Sequence, residues 1–364
     1  MIKSIKQYDK QYTDFLNIFN PYSSFPYKIH SDIPKFDIVA YNQNPTHQFV
    51  YDKLFVATSQ SMAAGTLQDT TDAKYPIFIK PRYGHKTASS KDCYKISSRE
   101  ELKPFLKKPE MMWSEFVNAK ESMTDFFLIN GEIVYQLTYI YSEKQNGFAD
   151  DWKFISPDNQ PPPEIVDWVN RYMVDYTGPV NVQYRANKII EVGLRFARSG
   201  IYIESTHNKK LISTINRAWE TKTWTYKNEE DLRFKPYYSF KCWSAFPIIC
   251  LLPQHFVDII MKYNGCMPFY EYYFEPTGKS SIIFFQFLHE DFEQGMKTKK
   301  QLEMCMFILS ITIMVLILIS ICLLLMNKNY DYAMYIVFLF FILGLDNSLD
   351  VLCNQITHQK QFVL

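Results

Sequence analysis

Glycine is scarce in this chain, with 11 residues in 364. That argues against long flexible linkers and against a strongly Gly-rich fold. An excess of one charge is also missing. Lys and Arg total 39 against 38 Asp and Glu, a formal net charge of +1, so bulk electrostatics give no reason to expect a nucleic-acid partner. The seven cysteines form no CxxC pair and no zinc spacing. A disulfide framework is not expected from them, and a reducing compartment fits better. The opening MIKSIKQYDKQYTDF lacks the apolar core of a secretory signal, and no N-x-Ser/Thr sequon with x other than Pro occurs. Internal repeats and low-complexity tracts are absent too.

What the chain does have is apolar and aromatic bulk. Apolar residues make up 47% and aromatics 17%, with 26 Tyr and 29 Phe, enough for a sizeable core. The length allows two compact domains, or one large domain with an appendage. Met304 to Met326 is an uncharged run of 23 residues, long enough to cross a bilayer. A shorter apolar run, 331–345, follows and either completes a helical hairpin or dips into the membrane, with Tyr330 and Tyr332 as interfacial anchors. Lys297, Lys299 and Lys300 just before the first run put the large N-terminal part on the cytoplasmic side. The expected contact is with membrane lipid. A conduit is not expected from one or two spans without intramembrane charge.

Between these ends, strand-like and helix-like segments alternate. PIFIKP (76–81) and MMWSEFV (111–117) read as strands, and SREELKPFLKK (98–108) as a short helix capped by Ser97 or Ser98. DFFLINGEIVYQLTYIY (125–141) reads as two strands joined at Asn130-Gly131. PPPEIVDWVNRYMVDY (161–176) opens with prolines and shows helical spacing. VNVQYRA and KIIEVGL form a second hairpin around 186–188. Residues 217–300 read as a small unit: SAFPIICLLP strand-like, QHFVDIIMKY helical, MPFYEYYF and SSIIFFQFL strand-like.

The second hairpin carries chemistry. If its turn centres on Asn187, Gln183 lies opposite Glu191 on one face, and Asn181 opposite Gly193. An amide oxygen and a carboxylate then converge, a donor set that suits Mg²⁺ held beside phosphates. Arg195 and Arg198 follow the strand and offer charge to those phosphates. An ordinary hairpin with a polar face explains the same residues. Lys80 ends a very apolar strand, where burial needs an anionic partner or a route to solvent. Glu115-Phe116-Val117 ends another strand, with Glu121 and Asp125 beyond it, which a solvated turn would also explain.

In order, strand-Lys-Pro, strand-Glu-Phe-Val, two acids, Asn-x-Gln and Ile-Glu-x-x-x-Arg resemble the ATP-grasp superfamily. The likeness is to the carbamoyl-phosphate synthase large chain and biotin carboxylase branch. It covers 76–200, with YDKL (51–54) as a further element. The resemblance implies an α+β chain in which two α+β subdomains sandwich ATP with Mg²⁺ or Mn²⁺. It implies that Lys80 and Lys53 touch phosphates, that Glu115, Phe116 and Val117 read adenine, and that Glu121 binds ribose. By the same likeness Gln183, Glu191 and Asn181 hold metal, Arg195 faces the transferring phosphoryl group, and Arg198 assists. The implied layout is 1–75 as a short N-terminal region, 76–216 as the ATP-grasp domain with its lid at 76–119, 217–300 as a small α+β unit, 301–350 as membrane segments and 351–364 as a tail.

Two departures stand out. Where the family has Glu-x-Asn-Pro-Arg, the chain has Glu191-Val192-Gly193-Leu194-Arg195, and either Asn181 or a water is expected to fill the gap. The glycine-rich lid loop is replaced by YGHKTASSKDCYKI (83–96), whose His85, Lys86, Ser89 and Ser90 can help its backbone hold phosphate. The expected function is a membrane-anchored, ATP- and Mg²⁺-dependent ligase that joins a carboxylate to an amine through an acyl phosphate. The alternative is a non-catalytic ATP-grasp module, nucleotide-binding or degenerate, serving at the membrane through a protein partner on 217–300.

Overall fold

A computed structural model describes residues 25–86, 92–142, 151–244, 254–269, 282–326 and 332. The chain divides into two compact units, and Phe25–Tyr237 is a single one. Its first elements are helix α1 (Asp37–Gln43), a 3₁₀ turn (Pro45–Tyr51) and helix α2 (Lys53–Thr58). Asp52 caps α2, its carboxylate accepting from Leu54 N–H at 3.0 Å.

A small antiparallel sheet follows, in the order β1-β4-β2-β3. Its strands are β1 (Ala64–Thr66), β2 (Ile77–Pro81), β3 (Tyr94–Ile96) and β4 (Met111–Glu115). Alternation splits its faces. Ile77, Ile79, Met111 and Trp113 point to one side and pack with Leu67, Ile96 and Leu102. Phe78 and Lys80 point to the other. The helix expected over 98–108 is shorter: α3 is Arg99–Leu102, followed by a 3₁₀ turn at Lys103–Phe105, where Pro104 has no N–H to continue it. Ser98 is its cap, accepting from Glu101 N–H at 3.3 Å.

The larger sheet of this unit runs β7-β6-β5-β8-β9, all antiparallel. The strands are β5 (Glu121–Ile129), β6 (Glu132–Tyr141), β7 (Trp152–Ser156), β8 (Gly178–Arg185) and β9 (Lys188–Gly193). The turn between β5 and β6 is Asn130-Gly131, both with positive φ, as a two-residue hairpin requires. Helix α4 (Pro163–Tyr172) starts at its proline and covers one sheet face with Ile165, Trp168 and Val169. That face supplies Phe126, Leu128, Val180, Val182, Tyr184 and Val192 to the core. The opposite face carries Asp125, Asn181, Gln183 and Glu191 beside the apolar Met123, Phe127, Leu137 and Tyr139.

After the short helix α5 (Ile201–Glu204), the expected boundary at 216/217 falls inside a helix, α6 (Lys209–Thr221), and the unit runs on to Tyr237. Residues 25–75 also belong to it, and the small sheet begins at Ala64 rather than at 76. Helical spacing continues across 216, so a boundary drawn there cuts a continuous element.

The second unit includes 238–244 and everything described beyond. Strand β10 (Tyr237–Ser244) pairs with β12 (Ile282–His289), which pairs with β11 (Met267–Phe269), and helix α7 is Gln254–Tyr263. The strand expected at 244–253 lies almost wholly outside the described residues, as does the run 331–345 save Tyr332. Helix α8 (Phe292–Met326) contains the whole uncharged run, and its apolar side chains, from Met304 to Met326, are largely exposed. Among the described residues no helix is long and apolar enough to cross a membrane.

Gly131 has φ +84°, and a Cβ there would stand 3.0 Å from the Asp175 backbone nitrogen. Gly131→Ala is expected to cost about 1–2 kcal/mol, read as a lower denaturant midpoint for the full-length chain.

Candidate functional site

Residues directly opposite on paired strands share a face. Glu121 pairs with Arg185, Met123 with Gln183, and Asp125 with Asn181 across β5 and β8. Gln183 pairs in turn with Glu191, and Asn181 with Gly193, across β8 and β9. Three strands therefore present one polar face, opposite the face covered by α4. The expected register of Gln183 and Glu191 is met, but by a different route. The turn is Ala186-Asn187, and the register then shifts so that Ile190 on β9 has no partner. This bulge rotates Glu191 onto the site face.

The small sheet meets β9 through Lys80. Lys80 is 7% exposed, and its ammonium donates to the Ile190 carbonyl at 2.6 Å. Burial first, and the neighbouring Lys53 second, bring its pKa down to about 8, against the pull of Glu191. Lys53, buried in the first turn of α2, is 3.3 Å from Glu191 Oε2. Lys53, Lys80 and Glu191 thus gather as expected, with the one acid already holding a lysine.

Arg195 follows β9. It donates to Asp37 Oδ2 at 2.6 Å and to the Phe196 carbonyl at 3.1 Å. Burial pushes its pKa down, but Asp37 outweighs that by charge and hydrogen bond, so the guanidinium stays charged. Asp37 also stands where a side chain at 193 would be. A Cβ on Gly193 would lie 2.8 Å from Asp37 Oδ1. The gap is therefore filled by Asp37, not by Asn181. Asn181 does sit opposite Gly193, but its amide donates to Asp125 Oδ1 at 2.8 Å.

Other expected contacts are more scattered. Glu121 accepts from Arg185 at 3.1 Å. Glu115 ends β4 with its N–H on the Ala63 carbonyl at 2.8 Å. Phe116 lies 6.4 Å from Phe78, with the Lys95 ammonium 4.4 Å from its ring, and Val117 packs beside Met62 and Met112. Arg198 sits in a left-handed turn with Ser199, at φ 47° and 59°. In the lid loop His85 stacks on Tyr41 at 3.7 Å, and burial lowers its pKa. Among the described residues its Nδ1 is buried without a hydrogen-bond partner. Ser89 and Ser90 lie outside the described residues.

Two acids were not anticipated as site residues. Asp37 is 158 positions from Arg195, so no local pattern could pair them. Asp125 lies at the end of the acid pair noted in the sequence, yet it is fully buried and accepts from Tyr139 O–H, Asn181 and Ala197 N–H at 2.7–2.8 Å. It orients Asn181 and the segment after Arg195.

The donor set suits a cation that arrives with phosphates. Among the described residues no three His, Cys, Asp or Glu gather to hold a metal unaided. Mg²⁺ commonly takes one or two carboxylates plus phosphate oxygens. Glu191, Gln183 and the carboxylate in the Gly193 cradle are of that kind.

No family model matches the chain by sequence, and no curated protein does. Solved structures match by fold. Carboxyaminoimidazole ribonucleotide synthase from Aspergillus clavatus, complexed with ATP, superposes with a TM-score of 0.51 at 10% identity, over 72% of this chain and 77% of that one. An L-amino acid ligase from Bacillus licheniformis gives a TM-score of 0.49 at 13% identity, over 70% and 71%. N5-carboxyaminoimidazole synthetase from Staphylococcus aureus, complexed with ADP, gives 0.48 at 15% identity, over 69% and 72%. The mixed α/β fold of this chain matches that of the Aspergillus clavatus synthase. The identity is low enough that the likeness extends to the fold alone.

Burial lifts Asp125 from 3.8 to about 6, although its three hydrogen bonds pull the other way. Its folded pKa exceeds its unfolded one, so its contribution to stability is full below about pH 4 and is lost as pH rises through 6. Asp125→Asn does not titrate. Its stability relative to wild type is expected to rise by about 3 kcal/mol from pH 4 to pH 7 and stay level above, measured by denaturant unfolding.

Proposed function

We propose that this chain binds ATP with Mg²⁺ and uses it to activate a carboxylate for attack by an amine. The observation that carries this is the meeting of Lys80 from the small sheet with the Ile190 carbonyl beside the Lys53–Glu191 pair. A lysine buried with a lowered pKa is costly to charge, and phosphate oxygens beside it would offset that cost. Lys53, Lys80 and Arg195 would neutralise the phosphate chain and the charge that builds on the transferring group. Glu191 and Gln183 would hold the cation, which when bound screens the β- and γ-phosphates as a Lewis acid.

The reaction balances without a protein nucleophile. A substrate carboxylate oxygen attacks the γ-phosphorus, the bond to ADP breaks, and an acyl phosphate forms. An amine nitrogen then attacks the acyl carbon, phosphate leaves with the C–O electron pair, and the nitrogen loses a proton. The protein's part is to position reactants and stabilise charge. Glu115–Val117 would read adenine and Glu121 the ribose, once Arg185 yields it; Arg198 would assist Arg195.

Membrane attachment is part of the proposal. The uncharged run Met304–Met326 is helical, and at 1.5 Å per residue it is about 34 Å long. Exposed side chains such as Met304, Ile308, Val315, Leu316, Leu318 and Ile319 spread over roughly 160° of the helix, a wide apolar surface that suits contact with lipid. Lys297 and Lys300, exposed just before the run, favour a cytoplasmic site for the N-terminal part.

A non-catalytic module is the second reading, favoured by a specific pattern. Lys53, Arg82, Arg185 and Arg195 each already hold an acid of this chain. A Cβ on Gly84 would stand 3.3 Å from Glu191 Oε1, and the next residue, His85, stacks on Tyr41.

Turnover separates the two. Lys80→Met and Glu191→Gln are expected to reduce ATP hydrolysis or ligation at least about 10²-fold in protein that still unfolds in one cooperative transition. Wild-type rates in both variants would defeat the ligase. Carbonate washing of membranes is expected to leave the full chain in the pellet. Its release with the wash would remove the anchor.

A further inference from the structure

Position 193 is on the site face, two residues beyond Glu191. Its backbone is ordinary strand, so conformation does not demand a glycine there. Space does. A Cβ would meet Asp37 Oδ1 at 2.8 Å, and the next nearest atom, the same carboxylate's carbon, lies at 3.9 Å. Asp37 opens α1, far from β9 in sequence, and its side chain is 20% exposed. Oδ2 is taken by Arg195 at 2.6 Å. Among the described residues nothing donates to Oδ1. A carboxylate has roughly four lone-pair sites, so one bond to arginine leaves room for a cation.

We propose that Asp37 completes the divalent-cation site, supplying from a distant segment the oxygen ligand that Gly193 cannot. This rests on the nucleotide-binding reading above. Side chains at 191 and 193 rise from the same face about 6.6 Å apart. The carboxylate standing at 193 is thus a near neighbour of Glu191, close enough for one cation with phosphate to lie between them. Charge balance supports the exchange. Glu191 holds Lys53 and Asp37 holds Arg195. Phosphate oxygens would take the two cations, and the carboxylates would then turn their free oxygens to the metal. The missing asparagine is on this account a relocated ligand and not a loss.

The test uses the full chain in detergent micelles and ADP with Mg²⁺, followed by calorimetry. Two quantities are read: the Mg²⁺ concentration for half-saturation at high ADP, and ADP affinity at saturating Mg²⁺. Asp37→Ala is expected to raise the first about tenfold or more and change the second less than about threefold. Asp37→Asn, which keeps an oxygen and the shape, is expected to fall between. Gly193→Asn alone should lower stability, since its Cβ meets the carboxylate. In Asp37→Ala it fits, and is expected to bring the Mg²⁺ requirement back towards wild type. If Asp37→Ala instead weakens ADP binding at saturating Mg²⁺ with an unchanged Mg²⁺ midpoint, Asp37 merely holds Arg195 and the proposal fails. No change in either quantity defeats it as well. A folded wild-type chain that binds no ADP at any Mg²⁺ concentration overturns the nucleotide reading itself, and this proposal with it.

Discussion

One extra residue in β9 decides what the hairpin can do. The two-residue turn at Ala186-Asn187, continued in regular register, would set Ile190 opposite Gln183. Glu191 would then point into the core under α4, because a one-residue slip sends every later side chain to the other face. The bulge prevents this. The same extra residue, left without a strand partner, offers the carbonyl that Lys80 reaches at 2.6 Å. A single irregularity thus aims Glu191 and ties the two sheets together. Bulges are common beside active sites for this reason.

Charge is the second constraint. Lys80 is buried against a carbonyl, and Lys53 next to it adds repulsion, so the pair is tolerated only with acids close by. Glu191 provides one, and Glu121 adds a smaller pull on Lys80. On the proposed function, phosphate oxygens would take over the lysine and arginine partners that Glu191 and Asp37 hold in this structure. Asp125 underlies the arrangement. Its hydrogen bonds fix Asn181 and the chain after Arg195, so the segment carrying the arginine has a buried anchor.

Much of this was legible in the sequence. Alternation gave the strands at 77–81, 111–115 and 178–193, and Asn130-Gly131 gave its hairpin, because period two and positive φ leave local marks. The grouping of Lys53, Lys80, Gln183 and Glu191 was legible as an ordered set of motifs. Asp37 was not, since its partners lie more than 150 positions away. The bulge was not, because an assumed turn centred on Asn187 gives the same pairing of Gln183 with Glu191 as a shorter turn plus one extra residue. Asp125 read as a solvated turn acid because nothing in its neighbours announces three converging donors. The boundary at 216 was misplaced since charge and proline patches punctuate loops and helix ends alike.

The face carrying Gln183, Glu191 and the Gly193 cradle is the proposed seat of a metal-bound nucleotide. Equilibrium dialysis of ATP against the full-length wild-type chain, with Mg²⁺ and with a chelator, tests it most directly. One saturable site per chain that requires the divalent cation is the predicted result. A folded chain that retains no ATP under either condition would contradict it.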